Sequence, residues 1–375
     1  MLRFKTFLSE ESKAVGIQHL EHPSDETFNS EKRAKAALTA LRGVAQGKSK
    51  ITRKIDDRMS FQIKREADNR VGVKYKGPGS NYNYSEEDIE RQHGHKPYLA
   101  GPLKAILAHG HKVLPKRTGE WQGGFMSTPD TREEKKGKIS HTPNTIEYAV
   151  DKDSPEGQKL ARSKLSITIH TELKGKNRKA TPVSDQSEFT PHPDVHLVDH
   201  TISKVEQKLK PEDRRKVLER VAAAQKLMKG HTFDHLSGHD ATLRTYINST
   251  VDSGEKPTVA GYKKHLSGKW EKEINKVKTE KAKNAKASAR DAAIAHIEKN
   301  SKAFGRSLDI HHHVQQATNL LARGLNRTAA GGYSHAIGGK ESGPEGYFAK
   351  GLKVVDREEF SKLNRARSAI LRAKK

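Results

Sequence analysis

Apolar residues recur along this chain with two periods, and the period changes from one stretch to the next. Between Ser30 and Gln46, the residues Ala34, Ala37, Leu38, Leu41 and Val44 fall on one helical face. Ser30 is a natural N-cap and Gly47 a natural stop, so the spacing predicts a helix through Gln46. From Ile51 the period shortens to two. Met59, Phe61 and Ile63 alternate with polar residues, and Arg70–Lys76 follows a turn rich in Asp and Asn. Glu120–Met126, Thr145–Val150 and Lys164–Leu173 are further predicted strands, with a helix at Pro97–Leu107. Hairpin-like spacing predicts an α+β fold with mostly antiparallel sheet.

Residues 174–198 are rich in Gly, Pro, Ser, Thr and His and read as a linker. Beyond them the helical period returns. Pro211 opens a predicted helix carrying Val217, Leu218, Val221 and Leu227, closed by Gly230. Gly261–Gly305 holds 12 Lys or Arg against 5 Asp or Glu, with too few large apolar residues to fill a core. It reads as a solvated helix or as one that tracks phosphates. Asp309 is the expected cap of a helix bearing Val314, Ala317, Leu320 and Leu321. After Gly331 strand-and-turn character returns, and Ser361–Lys375 forms a tail with six basic residues and no acidic ones. The predicted organisation is a helical N-terminal appendage at 1–50, a core over 51–197 and 331–375, and a basic helical insertion at 198–330. No internal repeat is visible.

Composition narrows the possibilities. Of 375 residues, 33% are hydrophobic and 31% charged, so a core is affordable but modest. Cysteine is absent, which removes disulfides, thiolate metal sites and a cysteine nucleophile. No apolar run approaches a membrane span, and Met1–Ser9 is too quickly charged for a secretory signal. The expectation is a cytoplasmic monomer without membrane contact. Lys and Arg exceed Asp and Glu by 25 charges, which points to a polyanionic partner, nucleic acid first. Phosphate-loop and dinucleotide glycine patterns are absent, and no Ser-His-Asp set stands out. His311, His312 and His313 are adjacent, point about 100° apart on a helix, and so read as surface histidines.

Three short segments gain meaning together. Ile51-Thr-Arg-Lys54-Ile-Asp56-Asp57 precedes an alternating strand; Gly343-Pro-Glu345-Gly346-Tyr-Phe-Ala-Lys350 and Gly351-Leu-Lys353-Val-Val-Asp-Arg357-Glu-Glu-Phe360 follow near the end. Their order resembles the motifs of the covalent nucleotidyltransferases, the ATP-dependent DNA and RNA ligases and mRNA capping enzymes. Gly119-Glu120-Trp121-Gln122-Gly123-Gly124-Phe125-Met126 stands where the ligases have a middle motif, and His141-Thr-Pro-Asn-Thr-Ile146 where they have a further strand. His19-Leu-Glu-His-Pro23, the Thr-Pro-Asn-Thr-Ile segment and the Val-Asp-Arg-type ending are similar to an uncharacterised ligase-like family of tailed phages. The resemblance covers residues 1–175 and 310–365.

That resemblance implies a ligase-type core and sealing of 5′-phosphate to 3′-hydroxyl ends of DNA or RNA through a lysyl-AMP intermediate. It makes Lys54 the nucleophile, Glu345 the magnesium ligand, and Lys353 the cation on the α-phosphate. Asp56, Lys74, Glu120 and Trp121 are the expected contacts of ATP; for Trp121 a stack on adenine competes with the stronger reading of a buried core residue. Lysine attacks only as the neutral amine, and Arg53, Lys64 or Lys74 are candidates for lowering its pKa. Lys76 reads as a turn residue beside Gly77-Pro78-Gly79. Two positions depart from the family pattern: Asp57 replaces a glycine, and Gly124 replaces an acid. The alternative is therefore a non-catalytic nucleic-acid-binding or virion-associated protein that keeps the fold; a capping-type guanylyltransferase is a third.

Overall fold

The computed structural model describes residues 21–183, 185–328 and 332–373. Met1–Ser9, His19, Leu20 and the two final lysines of the basic tail lie outside them. The fold is α+β, as the periodicity predicts. Its first element, α1 (Glu31–Ala45), is capped by Ser30, whose hydroxyl accepts from the Arg33 N–H at 3.3 Å. Its predicted face is the buried one.

The largest sheet has six strands. β2 (Met59–Arg65), β3 (Val71–Tyr75), β4 (Gly119–Ser127), β8 (Leu165–Lys174), β9 (Lys179–Pro182) and β10 (Val195–Leu197) run in the order β10-β8-β4-β2-β3, with β9 also on β8. Only β10, which lies parallel to β8, breaks the antiparallel pattern. Phe61, Ile63, Trp121, Ile167 and Ile169 line one face and bury Leu103 and Ile106 of a helix at Pro97–His109. A second sheet joins β5 (Glu133–Lys135), β6 (Lys138–His141) and β7 (Glu147–Asp151) to β11 (Ser334–Ile337) and β12 (Lys340–Ser342).

The third sheet positions the site. It pairs β1 (Ile51–Lys54) antiparallel to β13 (Gly346–Ala349), and β13 to β14 (Leu352–Val354). Side chains alternate across it. Ile51, Tyr347, Ala349 and Val354 face one apolar core with α1, with Val217 and Val221 of α5 (Pro211–Met228), and with Val314, Ala317 and Leu321 of α9 (Ser301–Asn326). The N-terminal helix and the predicted insertion thus share a core with the strand that carries Lys54.

Several expectations are corrected. Residues 174–198 are packed rather than a linker. They supply β9 and β10 and bury Val183, Phe189 and Val195 against the large sheet, apolar positions too widely spaced to show a period. Asp309 caps nothing, because Phe304 and Leu308 extend the apolar stripe of α9 N-terminally and leave Asp309 outside, paired with Lys256 at 2.8 Å. The basic tail is mostly helical, α10 (Arg357–Ala373). The Lys- and Ala-rich stretch forms α7 (Val259–Asn275) and α8 (Glu280–Lys299), which do build a core with α9 and α6 (Asp240–Ser253). That core uses a few large rings, Tyr246, Tyr262 and Phe304, in place of many aliphatics. Phe304 is fully buried at its centre, and Phe304→Ala should cost about 3–5 kcal/mol. A thermal melt followed by circular dichroism checks this; an unchanged midpoint would mean the helices lack a structural core.

Candidate active site

Antiparallel register places Lys54 opposite Gly346, the residue after Glu345. The Lys54 ammonium and the Glu345 carboxylate therefore meet in an ion pair, although 291 positions separate them in the sequence. Gly346 is required for this approach: a Cβ there would lie 2.5 Å from the Val354 carbonyl oxygen. One strand further, Lys353 lies directly across from Phe348. Lys54, Glu345, Phe348 and Lys353 line one side of a cavity of about 660 Å³. Asp56, Asp57, Arg58, Ser60, Lys76, Gln122, Asn144, His170 and Thr171 add polar walls, and Met59, Tyr75, Tyr98 and Leu99 apolar ones.

The cavity is electropositive. Burial, followed by the charges around it (His200, Lys76, Lys54 and Lys353), pushes the His170 imidazole down to about 3. Burial also lowers the Lys76 and Lys353 ammonium groups, and the Lys54 charge adds to the shift of Lys353. The carboxyls move the other way. Burial raises Glu345 and pushes Asp57 up to about 6, with the Lys54 charge opposing both. Two desolvated acids and three amines around one space suit a ligand that carries phosphate and a cation.

Asp56 has a different task from the expected one. Its carboxylate accepts from the Asn144 side chain at 2.9 Å and from the Thr145 and Ile146 N–H groups at 2.7 and 3.0 Å. Its own N–H donates to the Tyr148 hydroxyl at 2.7 Å. Asp56 borders the cavity, but its acceptors are spent on latching the Thr142–Ile146 turn to the end of β1. It is a positioning residue.

Asp57 and Gly124 are in fact one feature. A Cβ on Gly124 would fall 2.3 Å from the Asp57 Cβ and 2.4 Å from a carboxylate oxygen. The Asp57 side chain fills the space that a side chain at 124 would need, held by the Ser60 hydroxyl at 3.2 Å. A carboxylate from the first segment thus occupies the space beside the middle one.

Other expected contacts lie elsewhere. Trp121 is fully buried on the opposite face of β4, edge-on to Phe189 with its ring under Arg117, so it cannot stack on a ligand. Its neighbour Gln122 faces the cavity. Glu120 shares that face but sits further along the strand, bound to Arg178 and the Tyr82 hydroxyl. Lys74 lies over the Tyr82 ring and does not line the cavity. Lys76, which lies just past the end of β3 at the Gly77–Gly79 turn as expected, does. Arg53 points to the far side of β1 and pairs with Glu206 at 2.6 Å; Lys64 pairs with Glu66 at 2.6 Å. The cation beside Lys54 is Lys353. His311 is buried and stacked on Phe28 rather than on the surface. Among the described residues no three His, Asp or Glu gather to hold a metal.

Comparison with known proteins adds one finding. A model described as Family of unknown function (DUF6267) matches residues 79–368. The chain belongs to this family. The span shared with DUF6267 includes Gln122, His170, Glu345 and Lys353, and it starts after Lys54 and Asp57. No curated protein and no solved structure matches the chain.

Lys76, His170, Phe348 and Tyr75 escaped the sequence reading. Strand alternation carried a signal for Lys76, which shares a face with Lys74. His170 and Phe348 carried none, since both depend on which sheets meet.

Two measurements follow from Asp57. Gly124→Ala should destabilise the wild type by roughly 1–3 kcal/mol through overpacking, and distinctly less in an Asp57→Gly background. Thermal melts of the four proteins test the coupling; additive costs would refute the shared space. Because the folded Asp57 carboxyl titrates at about 6 rather than at its ordinary 3.8, its ionisation costs stability as pH rises through that window. Asp57→Asn should therefore raise the melting midpoint of the ligand-free protein more above pH 6 than near pH 4.

Proposed function

We propose that the protein is an ATP-dependent polynucleotide ligase that works through a lysyl-AMP intermediate on Lys54. One observation carries the reading. Lys54, Glu345 and Lys353, drawn from opposite ends of the sequence, line a single electropositive cavity large enough for a nucleotide. Phe348, Tyr75 and Tyr98 supply aromatic surface there for a base, in place of Trp121.

In this reading the Lys54 Nζ attacks the α-phosphorus of ATP. The nitrogen–phosphorus bond forms, the bond to pyrophosphate breaks, and the amine sheds a proton. Glu345 touches that amine and carries a carboxyl raised by burial, so it is placed to accept the proton. Lys353 offsets the charge that develops on the α-phosphate. Magnesium would neutralise the triphosphate; it needs only one or two protein carboxylates, and Asp57 and Glu345 are those available. Once Lys54 carries AMP it no longer holds the charge that pairs with Glu345, which keeps the proton until AMP is passed on. AMP then passes to a 5′-phosphate, and a 3′-hydroxyl displaces it. The excess of 25 positive charges suits a DNA or RNA substrate, bound in a salt-dependent way.

The test is covalent. Incubated with ATP and magnesium, the wild type should gain one AMP by intact mass, reversible by pyrophosphate, and Lys54→Ala should gain none. If a folded sample first stripped with pyrophosphate takes neither AMP nor GMP, transfer is absent. The charge would then favour a nucleic-acid-binding protein without chemistry.

A further inference from the structure

A second cavity of about 410 Å³ lies beside the Lys54–Glu345 pair. It shares Lys54, Glu345 and Lys353 with the first, and its remaining walls come from other parts of the chain. Asn248 and Val251 come from α6, Arg357, Phe360 and Ser361 from the first turn of α10, and His22 from the segment before α1. That segment runs along β14: the Lys353 N–H donates to the Glu21 carbonyl at 2.9 Å, which sets His22 beside Lys353. The pairing of Arg244 with the Glu21 carboxylate at 2.7 Å fastens it to α6.

The charges of this cavity do not balance. Lys54 is paired with Glu345, and Arg357 with Asp25 at 3.1 Å. Lys353 has no carboxylate within ion-pair distance among the described residues. The His22 Nδ1 is buried with no hydrogen-bond partner, and the Arg357 guanidinium reaches into the cavity to the Asn248 side-chain oxygen. Burial and the charges of Arg357, Lys353 and Lys54 together hold the His22 imidazole down at about 4, despite the opposing Asp25 carboxylate. A partly desolvated, unpaired lysine, an unsatisfied imidazole and a serine, beside an arginine shared between Asp25 and Asn248, surround a space large enough for a phosphate group. A dianionic phosphate supplies acceptors for the lysine, the imidazole and the serine and adds to the arginine's partners.

We propose that this second cavity is a phosphate subsite that receives the 5′-phosphate end of the polynucleotide, adjoining the nucleotide cavity with which it shares Lys54, Glu345 and Lys353. The assignment rests on the ligase reading and extends it by giving the helical segment, through Asn248, a direct part in holding the acceptor. In the transfer step an oxygen of that terminal phosphate bonds to the α-phosphorus carried by Lys54. The nitrogen–phosphorus bond breaks, and its electron pair returns to the Lys54 nitrogen, which takes back a proton from Glu345.

Asn248→Glu tests the subsite, because Asn248 is exposed on α6 and its replacement would place a carboxylate against Arg357. Ser361→Glu, at the start of α10, introduces the same charge from an independent element. Fluorescence anisotropy on the full chain compares an oligonucleotide bearing a 5′-phosphate with the same oligonucleotide bearing a 5′-hydroxyl. The wild type should prefer the phosphate by about tenfold, the value of one charge-assisted contact. Both variants should lose that preference. Absence of the preference in the wild type, or its survival in both variants, overturns the subsite. If the variants instead lose only competition by inorganic pyrophosphate, the cavity holds the leaving group of ATP and the polynucleotide assignment fails. Should Lys54 take no AMP in any of the proteins, the ligase reading falls, and the end-phosphate preference still decides whether the subsite exists.

Discussion

Everything in the cavity depends on the pairing of β1 with β13, two strands of four residues each. That pairing brings an amine and a carboxylate from opposite ends of the sequence into contact in a half-buried space. An ion pair in such a place contributes little net stability, because the desolvation of both charges offsets their attraction. Its partners are nonetheless tightly bound to each other in effect, since removal of either leaves the other buried without compensation. The strands must be held by something else, and they are. Their opposite face packs Ile51, Tyr347, Ala349 and Val354 into the core formed by α1, α5 and α9.

This division of one thin sheet explains why the helical segment is not a separable attachment. Alternation gives each strand a face for the apolar core and a face for chemistry. Arg53 and Lys54 are neighbours in sequence, yet one pairs with Glu206 near the helical segment and the other meets Glu345 in the cavity. A helix packed behind a strand that lines a cavity sets the position of the strand's side chains without touching a ligand. Cavity and helical core are two sides of one construction.

Much of this was legible in the sequence, and the remainder was hidden for physical reasons. The cap at Ser30, the alternation of Met59, Phe61 and Ile63, and the stripe through Val217 and Val221 are local patterns, and local patterns survive in a single sequence. The joining of Lys54, Glu345 and Lys353 was suggested only by a resemblance in the order of short segments. Periodicity could not have supplied it, since the register that joins them is a tertiary fact. Residues 174–198 looked like a linker because their buried apolar residues are spaced by loops, and only the large sheet reveals their partners. Trp121 and Gln122 show the limit most clearly. Alternation separates them onto opposite faces of β4, but it does not say which face is wet, and the large aromatic ring proved to be the core residue.

The meeting of Asp57 with Gly124 has a consequence for how such proteins are recognised. A carboxylate in space is one object, and two positions far apart in sequence can supply it. A comparison that scores each column by itself treats 57 and 124 as unrelated, although one volume is shared between them. A constraint of this kind leaves its trace in pairs of columns, where a larger side chain at one position requires a smaller one at the other.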